Sequence, residues 1–224
     1  MSTSTTTEQD HEIQVAVEHA IGWAPEIDPS RIGVAVHGGV VTLTGQVTSY
    51  PQKVAAGKTA LRTRSVGAVA NDITVHFPGD KPSDAEIVAA ARSSLDNTSS
   101  VPSALVKVEV RDRFIILTGE VQWNYQREAA RKAVTHLTGV HGIDNRITLT
   151  KRPVANAAET AAMIRKAITR HAALDASKIH VTASRGTVEL TGRVSSWSEK
   201  HQAELAAWAS PHVDHVHNKI TIRV

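Results

Sequence analysis

The pentapeptide Leu-Thr-Gly-polar-Val occurs three times, as Leu43-Thr44-Gly45-Gln46-Val47, Leu117-Thr118-Gly119-Glu120-Val121 and Leu190-Thr191-Gly192-Arg193-Val194, with its glycines 74 and 73 residues apart. A second motif follows each: Val66-x-x-Val69-x-Asn71-x-Ile73-Thr74, Val140-x-x-Ile143-x-Asn145-x-Ile147-Thr148 and Val213-x-x-Val216-x-Asn218-x-Ile220-Thr221, its Asn always 26 residues after the Gly. Two motifs keeping one register three times define an internal repeat, so a chain of 224 residues must fold as several small units rather than one large one.

Each copy opens with apolar residues four apart: Ile13, Val17, Ile21; Ile87, Ala91, Leu95; and Thr160, Ile164, Ile168, where Thr takes the first place. That spacing is one face of an amphipathic helix. Alternation follows in Ile32, Val34, Val36, in Val106, Val108, Val110 and in Ile179, Val181, which predicts a strand with one buried face. The links into the next strand are His37-Gly38-Gly39, Arg111-Asp112-Arg113 and Ser184-Arg185-Gly186. Glycine suits a hairpin turn because it accepts positive φ, so the second link, which lacks it, predicts a different turn type. Ala-rich helical stretches over 53–63, 127–137 and 200–209 precede the Asn-containing strand. The order α-β-β-α-β predicts an α+β fold of three tandem αββαβ domains, each a three-stranded mixed sheet covered by two helices. Pro and charge mark linkers at 77–83 and 152–155. The expected division is a disordered tail over 1–10 and domains over 11–77, 82–151 and 156–224.

Composition narrows the function classes. With aromatics at 4% the cores must be built from Val, Ile, Leu and Ala, and with no Cys there is no disulfide frame, thiolate metal site or thiol catalysis. The first ten residues have neither a basic start nor an apolar stretch, and no run approaches the roughly 20 apolar residues that span a bilayer. A cytoplasmic protein, peripheral to a membrane if it meets one, is the expectation. The net charge of +3 is too small to demand nucleic acid, and none is expected as a partner. No nucleophile beside a base, distinctive carboxylate pair or metal-hydrolase signature is present, so neither catalysis nor a cofactor is expected.

The two motifs resemble the BON domain, a module of bacterial osmotically inducible and envelope-stress proteins with the approximate pattern V-x-L-x-G-x-V, then G-V-x-x-V-x-N. The Gly before the second Val survives as Gly139, with Ser65 and His212 in the other copies. The resemblance implies the αββαβ fold and a non-catalytic, stress-related role in binding phospholipid or envelope components. Another part of the family is cytosolic and includes a potassium-binding protein that joins a BON domain to a LysM domain, and no LysM segment is found here. A potassium sensor is therefore a second reading, and a scaffold whose open sheet edges recruit a partner strand is a third.

Several residue sets could carry binding. Gly45, Gly119 and Gly192 suit close backbone packing within a strand better than a ligand cradle, and Asn71, Asn145 and Asn218 suit side-chain bonds to nearby backbone. Tyr50, Trp123, Tyr125 and Trp197, with Arg127 and Lys200, collect at the start of the second helix. They could meet anionic lipid or a partner, or simply pack the helix start. His215 and His217, two apart on an extended segment, could share a metal with His212 or Asp214, although exposed positions beside a strand accept His readily. Trp208 is expected in the core and Trp23 at the surface.

Overall fold

The computed structural model describes residues 3–150, 157–170, 176–210 and 213–222. It divides into two compact units, the first holding copy one and copy two as far as Thr148 except for Gln122–Asn124, and the second holding copy three together with Gln122–Asn124 and the residues from Leu149.

Copy one runs α1 (Thr3–Gly22), β1 (Ile32–His37), β2 (Val40–Val47), α2 (Tyr50–Arg62), β3 (Ala68–Asn71) and β4 (Thr74–Val75). Copy two repeats it with α3 (Asp84–Asp96), β5 (Val106–Arg111), β6 (Phe114–Val121), α4 (Asn124–Thr135), β7 (Gly142–Asn145) and β8 (Thr148–Leu149). Copy three has α5 (Ala157–Thr169), β9 (Ile179–Ser184), β10 (Thr187–Val194), α6 (Trp197–Trp208) and β11 (His215–Ile222). In each the second strand is central, antiparallel to the first and parallel to the last. β3 and β4 are two stretches of one path: Leu43 faces Asn71 and Gln46 faces Thr74, the constant offset that β11 keeps without a break. The sheet is thus three-stranded and mixed in all three copies, as the sequence predicts.

The helical spacing read from the sequence is the buried face. Ile13, Val17 and Ile21 of α1 close over Val41, Leu43 and Val47 of β2 and Ala56 and Ala60 of α2. Fully burying a side chain such as Leu43 stabilises by about 1.5–3 kcal/mol. Copy three repeats this with Ile164 and Ile168 against Val188, Leu190 and Ala203, and Trp208 packs half-buried on that cluster. Trp23 is 76% exposed and donates Nε1–H to Nε2 of His19 at 2.9 Å.

Three elements differ from the sequence reading. α1 reaches back to Thr3, into the segment expected as a tail over 1–10. That run contains neither Pro nor Gly to stop a helix, and Asp10 is tied to the turn between β1 and β2. The second helices start at Tyr50, Asn124 and Trp197, three residues early. Pro51 is tolerated in the first turn, where its missing N–H has no helical partner to lose, and Ser196 caps α6 by accepting the N–H of Glu199 at 3.2 Å. The turn of copy two is not of a different type: Asp112 and Arg113 hold φ +49° and +64°, beside +56° and +74° at Gly38 and Gly39 and +48° and +80° at Arg185 and Gly186.

Candidate functional site

The repeated residues form two sets of backbone locks. Gly45, Gly119 and Gly192 have φ between +115° and +135°, and a Cβ there would lie 2.0–2.1 Å from the carbonyl oxygens of Arg31, Leu105 and Lys178. No side chain fits without moving backbone. The glycine carbonyls accept the hydroxyls of Thr74, Thr148 and Thr221, each at 3.1 Å. The Asn side chains form the second lock. Their Nδ2 groups donate to the carbonyls of Lys53 (2.9 Å), Arg127 (2.9 Å) and Lys200 (3.1 Å), and their Oδ1 atoms accept the N–H groups of Ile73, Ile147 and Ile220.

This second lock positions chemistry. In every copy the residue whose carbonyl is pinned is a cation in the first turns of the second helix, and an aromatic lies two to four residues before it: Tyr50 with Lys53, Trp123 and Tyr125 with Arg127, Trp197 with Lys200. The Lys200 ammonium stands 4.9 Å from the centroid of the Trp197 ring, within cation–π range. Tyr125 is 59% exposed, whereas Tyr50, Trp123 and Trp197 are half-buried, so the rings also pack the helix start.

A third device escaped the sequence reading. The carboxylate of Asp10 accepts the N–H groups of Gly38 and Gly39 at 2.7 and 2.9 Å, and that of Asp84 accepts those of Asp112 and Arg113, both at 2.9 Å. Hydrogen bonds from Gly39, then from Gly38, hold the Asp10 carboxyl below its ordinary pKa. Asp10 and Asp84 are separated by the repeat distance, the signal that could have revealed them. Ala157 occupies the equivalent place in copy three.

Within the first unit, a cleft of about 790 Å³ lies between α2 and residues 135–140 of copy two. α2 turns Ala56, Gly57 and Ala60 to its own core, and Pro51, Val54, Ala55, Lys58, Thr59 and Arg62 to the cleft. The latter recur three or four apart, as one side of a helix must. Sequence reasoning did not find this cleft, because it depends on how two copies pack.

His215 and His217 are exposed on the same face of β11, and His212 lies outside the described residues. Among the described residues no group of three His, Asp or Glu is placed to hold a metal. Among them, too, no helix is long and apolar enough to cross a membrane.

The BON domain model matches residues 9–76, 83–151 and 156–224. No curated protein matches the chain. A solved structure of CdsD, a structural protein of the Type III secretion system of Chlamydia trachomatis, is similar at 11% identity over 95% of this chain and 92% of that one, with a TM-score of 0.28. The C-terminal domain of CdsD, also from Chlamydia trachomatis, is similar at 12% identity over 94% and 96%, with a TM-score of 0.27. Likeness at that level carries neither fold nor function across. The family match, repeated in each copy where both motifs stand in register, is of another order: the chain belongs to the BON domain family, as three tandem domains.

Proposed function

We propose that the protein is a non-catalytic binding protein that associates peripherally with anionic phospholipid surfaces through the starts of its second helices. The observation that carries this reading is the threefold hydrogen bond from Asn71, Asn145 and Asn218 to the carbonyls of Lys53, Arg127 and Lys200. It fixes the backbone that carries each cation, so the charge is presented from the same place in all three copies. The nearby ring supplies an amphipathic surface of the kind that settles at a headgroup layer. Membership of a family associated with phospholipid binding supports the same reading. Copy three, at Lys+Arg 10 against Asp+Glu 6 over residues 152–224, contributes the strongest attraction.

Co-sedimentation with vesicles tests it. The chain should pellet with phosphatidylglycerol vesicles and not with phosphatidylcholine vesicles, and less so at high salt. Each cation near an anionic surface contributes about 1 kcal/mol, so Lys200→Glu should weaken binding by about fivefold or more. Because Asn218 bonds the backbone of residue 200, that variant keeps the lock and the fold. Equal binding to both vesicle types, or no loss in the triple variant Lys53→Glu/Arg127→Glu/Lys200→Glu, removes the reading.

A further inference from the structure

Along the cleft face of α2 the chemistry changes with each turn. Pro51, Val54 and Ala55 are half-buried and apolar, and Lys58 and Arg62, one turn apart, are exposed cations. Leu137 of copy two and Phe77 extend the apolar floor, and Glu26 is the only carboxylate among the lining residues, against two permanent cations. The volume falls in the roughly 300–1,000 Å³ range of small-molecule sites. An apolar floor leading to a pair of cations is the complement of a hydrocarbon chain that ends in an anion. The run is peculiar to copy one. At the positions equivalent to Val54, Lys58 and Arg62, copy two has Glu128, Lys132 and His136, and copy three has His201, Leu205 and Ala209.

We propose that this cleft binds a fatty carboxylate as a soluble monomer, its chain over Val54 and Leu137 and its head group between Lys58 and Arg62. The site goes beyond surface association, since its ligand is a single molecule and its cations are not Lys53, Arg127 or Lys200. Calorimetric titration of the full chain with sodium octanoate, below its micelle concentration, tests it. Saturable binding is expected, weakened about tenfold or more in Lys58→Gln/Arg62→Gln because charge-assisted hydrogen bonds are lost. Both residues are exposed, so the variant should fold normally. Octanol, the same chain without the charge, should bind more weakly than octanoate. Lys200→Glu, the variant that weakens vesicle binding, should leave octanoate affinity unchanged, so failure of either reading is seen separately. Absence of saturable octanoate binding, equal affinity in the double variant, or octanol binding as tightly as octanoate overturns the proposal.

Discussion

The side-chain amide of Asn145 donates to the backbone carbonyl of Arg127 at 2.9 Å, tying the last strand of copy two to the first turn of α4. Its Oδ1 also accepts the N–H of Ile147 at 3.2 Å, so one half-buried side chain satisfies two backbone groups. Asn145→Ala strands both, which should cost about 1–3 kcal/mol in the unfolding transition of the first unit. Thr148→Ala removes one exposed bond, to Gly119, and should cost less, under about 1 kcal/mol. Denaturant titration of both variants decides: equal losses would mean that the Asn lock is no stronger than a surface hydroxyl.

Gly119 and Gly22 make opposite predictions from the same chemistry. A Cβ at Gly119 meets the Leu105 carbonyl oxygen at 2.1 Å with φ at +135°, so Gly119→Val should destabilise by about 3 kcal/mol through overpacking and backbone strain. A Cβ at Gly22, the last residue of α1, meets nothing within 4 Å and φ is not positive there. Gly22→Ala should stabilise by about 0.4–1 kcal/mol, because it restricts the unfolded chain more than the folded one. Thermal melts of the pair check both signs, and a neutral Gly119→Val would show that the strand end can move.

What could be read from the sequence follows the range of the interactions. The helix faces and strand alternation are local, and Ile13, Val17, Ile21 and Val41, Leu43 are buried where the periods put them. The motif spacing gave the three copies because Gly45 and Asn71 each act on backbone, which demands one residue type at one place. The turn of copy two was misread because its positive φ is supported by Asp84, 28 residues upstream of Asp112, and not by a glycine in the turn. The cleft beside α2 was invisible for a similar reason, since Leu137 joins it only when two copies pack.

That support makes the second turn the more dependent one. Asp112 and Arg113 carry side chains that disfavour positive φ, whereas Gly38 and Gly39 do not, so Asp84→Ala should lower the melting temperature of the first unit more than Asp10→Ala. Asp10 also predicts a pH dependence. Its folded pKa is depressed, chiefly by the N–H of Gly39, so its contribution is complete above the ordinary Asp value of about 3.9. The contribution is lost as pH falls through the lower folded value. The difference in melting temperature between the wild type and Asp10→Ala should therefore stay constant near neutrality and shrink on acidification. A gap that persists in strong acid would mean the carboxylate is not what the turn uses.

His141 offers a second pH dependence, in a milder range. It is half-buried and edge-on to Phe114 at 6.0 Å, and its backbone N–H donates to the carbonyl of Arg113 at 2.9 Å. Burial, then the charges of Arg113 and Lys81, hold its pKa below the ordinary value. The unfolded chain therefore takes up a proton near pH 6.5 while the folded imidazole still resists it. Stability of the first unit is complete above that pH, declines as pH falls toward the folded value, and loses nothing more from this group below it. His141→Gln cannot be protonated, so its denaturation midpoint should fall less steeply than that of the wild type between about pH 7 and 5. Parallel curves for the two would show that His141 takes its proton as readily folded as unfolded.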